Sequence, residues 1–220
     1  MLIKALRFIL SILLIPACVA ITICFYDGIT SITAISESGL SFIFGVLAYC
    51  ILHLLIFKPD FLYVLGHELT HAVAAIFSGG KATKINVSGK GGSVRSTGPN
   101  VFVMLAPYLI PGYAVLLAIL YFLLSFFIDV GRFSDLFIFL IGFTLMLHLT
   151  YTSQSMREKQ SDLIKSGYLF SISFIYIANL VIVFGIISLL FKEADFLDFI
   201  SGAYVRSEQF YYSFWRQLFL

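Results

Sequence analysis

Long runs of apolar residues, separated by short polar connections, fill almost all of this 220-residue chain. A helix that crosses a membrane needs about 20 mostly apolar residues. Six stretches approach that length, and we predict a membrane-spanning helix in each: Leu2–Tyr26, Leu40–Phe57, Phe61–Phe77, Val101–Ile128, Leu136–Thr152 and Tyr168–Phe191. The pattern therefore predicts an all-α, multi-pass integral membrane protein with about six transmembrane helices.

One polar connection, Gly79–Asn100, is longer than the others and reads GGKATKINVSGKGGSVRSTGPN. Its segments KATKINVS and SVRS are rich in Thr, Ile and Val, and the GKGG between them is turn-forming sequence. We predict a small β-hairpin over Lys81–Ser96, inserted directly after the third apolar stretch. An ordinary solvated loop is the alternative interpretation.

The composition agrees with a protein that lies in the lipid bilayer. Hydrophobic residues make up 60% of the chain and charged residues only 12%, which is more apolar material than one water-soluble core requires. Six spans leave little room for a soluble domain, so we expect a single integral membrane domain over residues 1–220. The net charge of +2 gives no indication of nucleic-acid binding, and we predict no such partner. The cysteines, Cys18, Cys24 and Cys50, lie in apolar stretches and are interpreted as small buried side chains.

Both ends of the chain carry recognisable patterns. Lys4 and Arg7 come before most of the first apolar stretch, as in a signal peptide, but that stretch continues to Tyr26, so we predict an uncleaved anchor. Residues 192–220 mix charges with aromatic side chains and include the only tryptophan, Trp215. This pattern predicts an amphipathic helix at the membrane interface.

The positive-inside rule does not orient six predicted spans. One side would hold seven cationic residues, Lys4, Arg7, Lys58, Arg132, Lys192, Arg206 and Arg216. The other side would also hold seven, Lys81, Lys84, Lys90, Arg95, Arg157, Lys159 and Lys165. The orientation therefore stays open on this count, as does the identity of the membrane.

The third apolar stretch contains ionisable side chains, in the sequence VLGHELTHAVAAIF over residues 64–77. Polar groups at membrane depth are costly, and their default interpretation is a functional site. His67 and His71 are four residues apart, so on a helix both imidazoles lie on one face and can bind a single Zn²⁺ ion. The Glu68 carboxylate can reach a metal-activated water without being a ligand, as in H-E-x-x-H zinc hydrolases. The structural alternative is a satisfied polar cluster between helices.

A catalytic zinc site usually has three protein ligands, so one more is needed. Asp162 at the entry to the sixth predicted span, and His148 near the end of the fifth, both face the side on which the hairpin emerges. By position alone, Asp162 and His148 are both candidates for the third ligand. His53 is interpreted as a buried, hydrogen-bonded histidine.

The sequence GHELTHAVAAIFSGGKATKINVS, together with the short strands, an APY segment at residues 106–108 and the later Asp162, resembles the site-2 protease family of intramembrane zinc metalloproteases. In that family the histidine pair and the glutamate lie on one transmembrane helix. A membrane-associated β-region follows, and an aspartate from a later helix completes the zinc site. The resemblance implies that His67, Glu68, His71 and Asp162 form the catalytic centre, within a metalloprotease core over residues 61–171.

These observations predict a zinc metalloendopeptidase that hydrolyses peptide bonds of membrane-associated proteins or peptides. A helical peptide bond is shielded, so the substrate must unwind, and we expect the hairpin edge at Lys84, Ile85, Asn86 and Val87 to hold it by strand addition. A different class of function is a membrane protein without protease activity. It would be either a degenerate relative that binds transmembrane partners or a metal-handling carrier, and neither needs Glu68 as a general base.

Overall fold

A computed structural model describes residues 2–88, 91–97 and 100–219. The helices, numbered in chain order, are α1 (Leu2–Thr30), α2 (Glu37–Ile51), α3 (Asp60–Phe77), α4 (Val101–Leu109), α5 (Gly112–Leu124), α6 (Ser134–Glu158), α7 (Ser161–Ser166), α8 (Tyr168–Leu190) and α9 (Phe196–Phe219). A π-helical segment, Leu52–Ile56, continues α2, and a 3₁₀ turn, Val130–Phe133, precedes α6. Strands β1 (Ala82–Ser88) and β2 (Gly91–Ser96) form an antiparallel pair.

The chain divides into two compact units. The first unit combines Met1–Ser36 with Ile164–Leu220, and the second unit covers Glu37–Leu163. The sequence pattern predicted one membrane domain, with a metalloprotease core over residues 61–171. Most of the residues of that predicted metalloprotease core belong to the second unit. The second unit ends at Leu163, within α7.

Four helical stretches are long and apolar enough to cross a membrane: Ala5–Thr30, Glu37–Ile56, Val130–Glu158 and Tyr168–Leu190. α4 and α5 together form a fifth candidate span, bent by 74° at the break between them. These helices are consistent with the predicted membrane protein. The six predicted spans are not confirmed, because α3 is not among the described helices that meet both conditions. Its ionisable groups lower its mean hydropathy.

α2 and α6 lie side by side and run in the same direction. In the first half of both helices, a Cβ atom added to Gly142 would meet the carbonyl oxygen of Phe42. Further along, His53 of the π-helical segment that continues α2 is in edge contact with Tyr151 of α6, with ring centroids 5.6 Å apart. Glycine at the crossing lets the two backbones approach closely, which favours van der Waals contact between apolar helices.

α3 is followed by the hairpin that the sequence predicts. Gly79, just after α3, has a φ of 78°, the left-handed conformation that commonly follows a helix end. In the hairpin, Ile85 pairs with Val94 and Asn86 with Ser93. The hairpin is therefore confirmed, although Gly89 and Lys90 of its predicted turn lie outside the described residues.

α4 runs back along α3, so the chain folds over its own third helix. Asn100 caps α4, its side chain accepting a 2.9 Å hydrogen bond from the Val103 backbone N–H. Val103 and Ala106 then pack against Ala74 and Ala75 of α3. Small residues on both helices make this close approach possible, and it brings the α4 backbone to the histidine-bearing face of α3.

The first unit contains α1, α8 and α9. α1 and α8 run in the same direction. Near their first residues, the Arg7 guanidinium donates a 3.1 Å hydrogen bond to the Lys165 carbonyl oxygen. Beyond the end of α1, the Ser36 hydroxyl donates one of 3.2 Å to the Leu190 carbonyl oxygen. α9 packs against α1. The helix predicted over residues 192–220 is thus present as α9, and its place at a membrane interface stays a prediction.

Candidate metal centre

Three side chains of the second unit converge on one point. The Nε2 atoms of His67 and His71 are 3.2 Å apart, and His71 Nε2 lies 3.3 Å from a carboxylate oxygen of Asp162. One ligand atom from each residue lies within 4.8 Å of the other two. The four-residue spacing in α3 puts both histidines on one face, and α7 supplies the aspartate. These are residue types found at catalytic zinc sites.

Each histidine ring is held by a hydrogen bond at its other nitrogen. His71 Nδ1 lies 2.8 Å from the carbonyl oxygen of Val103, which can only accept, so Nδ1 carries the proton of a neutral His71. Its Nε2 atom therefore presents a lone pair. His67 Nδ1 lies 3.1 Å from the Tyr63 hydroxyl. Such partners fix the orientation and tautomer of metal-binding histidines.

The end of α6 holds the start of α3. The Tyr151 hydroxyl donates a 2.7 Å hydrogen bond to the Asp60 carboxylate. About one turn further along both helices, the hydroxyls of Tyr63 and Ser155 are 2.7 Å apart. Tyr63 also stacks on Tyr151, with ring centroids 4.3 Å apart. Because Tyr63 contacts His67 as well, it links that imidazole to α6.

Asp162 reaches the site through a tight turn after α6. The helix ends at Glu158, and Lys159 then adopts a left-handed conformation with φ 52° and ψ 53°. This turn leads directly into α7, whose second residue is Asp162. Gln160, within the turn, accepts a 2.7 Å hydrogen bond from the Tyr108 hydroxyl of α4. The turn that positions Asp162 is therefore tied to α4.

Glu68 is buried beneath the hairpin, with 7% of its surface exposed. A Cβ atom added to Gly92 of β2 would lie 2.5 Å from Glu68 Cγ and 2.7 Å from its Oε1. A larger residue at this position would have to displace the carboxylate or the strand. The absence of a side chain at Gly92 thus lets the β2 backbone cover the carboxylate that sits next to His67 in sequence.

A cavity of about 20 Å³ borders His67. A space of this size holds roughly one water molecule. His148, the alternative third ligand, is buried and lines the same cavity. In the described part of the chain, however, the group of close ligand atoms consists of His67, His71 and Asp162. The structure thus separates the two alternatives by position, with Asp162 at the histidine pair and His148 in the adjoining wall.

The other residues singled out by the sequence lie in the hairpin and in the π-helical segment that continues α2. The four positions predicted to bind substrate belong to β1. Lys84, Ile85 and Asn86 are exposed, and Val87 is half-buried. His53 Nδ1 is 3.1 Å from the Tyr49 hydroxyl. That hydrogen bond agrees with the structural interpretation of His53.

Sequence reasoning did not identify Tyr63, Gly92 or Val103 as parts of the site. A signal for Tyr63 exists, because it precedes His67 by four residues, the same spacing that joins the histidine pair. Gly92 and Val103 contribute backbone atoms, whose approach to α3 depends on segments that are distant in sequence. No comparable local signal exists for them.

Comparison with protein-family models, with curated proteins and with solved structures finds no match to this chain. The functional argument therefore depends on the residues of the site and on their geometry.

We expect the Tyr63→Phe substitution to weaken zinc binding by roughly 10- to 100-fold, the range for losing a partner that orients a metal-binding histidine. The phenyl ring keeps the stack on Tyr151, whereas the hydrogen bond to His67 is lost. Zinc affinity of the purified protein is measured by competition with a chelator. Tyr121→Phe is the matched control, because it removes a 3.0 Å hydroxyl hydrogen bond to Val130 near the end of α5. Equal zinc affinity in Tyr63→Phe and wild type would refute the orienting role.

Proposed function

We propose that this chain is a zinc-dependent intramembrane peptidase that hydrolyses peptide bonds of membrane-associated protein substrates. One observation carries the proposal: the side chains of His67, His71 and Asp162 meet beside α3. α3 bears the two histidines and also the buried Glu68. Burying ionisable groups in an apolar protein is costly unless they are paired or coordinate a metal. A divalent cation would compensate the acidic charge and use the imidazole lone pairs.

The donor set fits zinc in kind and in spacing. Zn²⁺ binds imidazole nitrogen at roughly 2.0–2.1 Å and carboxylate oxygen at a similar distance, so neighbouring donors of a tetrahedral site are about 3.3 Å apart. The separations of 3.2 Å between the histidine Nε2 atoms and 3.3 Å from His71 to Asp162 agree with that value. Three protein ligands leave one position for water or substrate, as catalysis requires. Calcium and magnesium prefer oxygen donors throughout.

Bound zinc supplies Lewis-acid polarisation of the peptide carbonyl and makes water more acidic. Glu68 acts as the general base, accepting a proton from the attacking water while the water oxygen bonds to the carbonyl carbon. When the carbon–nitrogen bond breaks, Glu68 donates that proton to the leaving amine. The hydrogen bonds at Tyr63 and Val103 keep the imidazoles oriented, and the backbone at Gly92 limits access of other water to Glu68.

We assign substrate binding to the outer edge of β1. In the described residues the sheet has two strands, and β1 pairs with β2 along one edge. A peptide that adds to the other edge becomes extended, which exposes its backbone to hydrolysis. The exposed positions Lys84, Ile85 and Asn86 lie on this strand, and the hairpin packs against the helix that bears Glu68.

Two substitutions separate the alternatives for the third ligand. We expect Asp162→Ala to weaken zinc binding by more than about 100-fold, beyond the range for losing a group that only orients a ligand. His148→Ala, the matched control in the adjoining cavity wall, is expected to change affinity by less than about 10-fold. Metal content is measured on purified protein, with the His67→Ala, His71→Ala double variant as the metal-free reference. Zinc retained by Asp162→Ala but lost from His148→Ala would transfer the role to His148.

A second substitution tests the chemistry apart from metal binding. We expect Glu68→Gln to retain zinc at the wild-type stoichiometry and to lower hydrolysis by roughly 10²- to 10⁴-fold, because the amide cannot accept the water's proton. Cleavage of a fluorogenic peptide is followed in detergent micelles. Glu158→Gln is the control, since it makes the same chemical change at an exposed position at the end of α6. Undiminished hydrolysis by Glu68→Gln would exclude Glu68 as the general base of the reaction.

Proline substitutions test strand addition. Neighbouring residues of a strand direct their N–H groups to opposite edges, so Ile85→Pro and Asn86→Pro remove donors from different edges of β1. One of the two variants loses the N–H group at the outer edge of β1. We expect it to retain zinc and to cleave roughly fivefold more slowly, because losing one hydrogen bond to the substrate backbone costs about 1 kcal/mol. Ile85→Ala keeps the N–H and serves as the control. Wild-type cleavage rates in both proline variants would exclude strand addition at this edge.

A further inference from the structure

A second cavity, of about 280 Å³, lies in the first unit beside the first turns of α1 and α8. Its walls come from Arg7, Phe8 and Ser11 of α1 and from residues between Ile164 and Phe170. That volume is many times the roughly 10–15 Å³ that one water molecule needs. The residues of the candidate metal centre do not line it. The cavity can therefore hold a ligand that has no part in metal binding.

Two cationic side chains line this cavity, and none of the lining residues is acidic. Arg7 is half-buried and Lys165 is exposed. In the described part of the chain, the pairs between a basic side chain and a carboxylate are formed by other residues, namely His71, Arg132 and Arg206. The positive charge at the cavity is thus not balanced by a carboxylate, and an anionic ligand would compensate it.

The turn before α8 holds the side chain of Arg7 at the cavity. Gly167 has a φ of 93°, a conformation that favours glycine. A Cβ atom added there would lie 3.5 Å from Arg7 Cδ, so the stem of Arg7 lies against the glycine. The guanidinium donates a 3.1 Å hydrogen bond to the Lys165 carbonyl oxygen. That bond uses one of its several N–H donors, and the planar fork of the others suits phosphate oxygens.

The start of α8 reinforces the charge of the two side chains. Its N-cap residue, Gly167, has no side chain that could accept hydrogen bonds from the first-turn N–H groups. The N-terminal end of a helix carries roughly half a positive elementary charge. Arg7 and Lys165 therefore lie next to a helix end of the same sign, which makes binding of an anion more favourable still.

Apolar side chains in the same wall limit the kind of anion. Phe8, Ile164 and Leu169 line the cavity and are exposed. α1 and α8 are both long and apolar enough to span a membrane, and they run in the same direction from the end at which Arg7 meets Lys165. A phospholipid beside such helices has its phosphate at the helix ends and its acyl chains along the apolar surface.

We propose that this cavity is a binding site for a phosphate group, and that its apolar wall selects the phosphate of an anionic phospholipid. Arg7 and Lys165 bind the phosphate oxygens. Phe8, Ile164 and Leu169 contact the first part of the acyl chains. The site belongs to the first unit and uses none of the residues assigned to peptide hydrolysis, so it is independent of the function proposed above.

Lipid binding by the purified full-length protein tests the site. Native mass spectrometry in detergent measures the affinity for phosphatidylglycerol and for phosphatidylcholine. We expect the wild type to bind one phosphatidylglycerol molecule about tenfold more tightly, because the quaternary ammonium group of phosphatidylcholine is repelled by the two cations. We expect Arg7→Gln and Lys165→Gln each to weaken phosphatidylglycerol binding by about tenfold or more, as the loss of a charge-assisted hydrogen bond implies.

Arg132→Gln is the matched control. It makes the same chemical change at an exposed arginine outside the cavity, which pairs with Asp129 at 3.3 Å, and we expect wild-type affinity. Lys165 is exposed, so Lys165→Gln keeps the site testable if Arg7→Gln does not fold. Wild-type affinity in Lys165→Gln, or an equal loss in Arg132→Gln, would overturn the site.

Inorganic phosphate distinguishes the two sources of the phosphate group. We expect it to displace phosphatidylglycerol only at roughly 100-fold excess or more, because it has no acyl chains to bury. Displacement at equal concentration would support the phosphate site but overturn the phospholipid as its ligand. Equal affinity for phosphatidylglycerol and phosphatidylcholine would overturn the role of charge. Lipid binding needs no catalysis, so failure here and failure of the proposed peptidase function are distinguishable.

Discussion

The site depends on how the end of α6 and the turn after it hold α3. Tyr151 fixes Asp60 at the start of α3, Ser155 meets Tyr63, and Asp162 reaches His71. α3 contains too many ionisable groups to be stable against lipid on every side, since each such group needs a polar partner. α6 supplies the partner of Asp60, Tyr151, and holds Tyr63 through Ser155, while its earlier turns pack on α2. One helix thus both anchors the second unit and holds the helix that carries the candidate metal ligands His67 and His71.

The polar groups of this region compensate one another. In the part of the chain that the structure describes, every buried side-chain nitrogen or oxygen has a hydrogen-bond partner. The histidines use Nδ1 for a hydroxyl and a backbone carbonyl, which leaves both Nε2 atoms at the meeting point with Asp162. The two Nε2 atoms, 3.2 Å apart, are within hydrogen-bond distance of each other. Under the function proposed above, a cation shared with Asp162 would use the lone pairs of both imidazoles.

Close backbone contacts complete the arrangement. Gly142 lets α2 and α6 touch, and Gly92 lets β2 rest against Glu68. Both contacts depend on the absence of a side chain at the glycine. The first lets the backbones of α2 and α6 approach closely. The second sets how much water surrounds the proposed general base.

Local sequence patterns determined several features of this protein. The apolar runs predict the long helices, alternation and turn residues predict the hairpin, and the four-residue spacing of His67 and His71 predicts that they share one helix face. These predictions need only neighbouring residues, because helix and strand periodicity place such side chains without reference to the rest of the chain. The tertiary structure decided the remainder. It brought Asp162 rather than His148 to the histidine pair, and it made α2 and α6 parallel where six alternating spans required the opposite. Hydropathy measures how apolar a segment is. The direction of a helix and the residues that it contacts depend instead on packing between residues that are far apart in sequence.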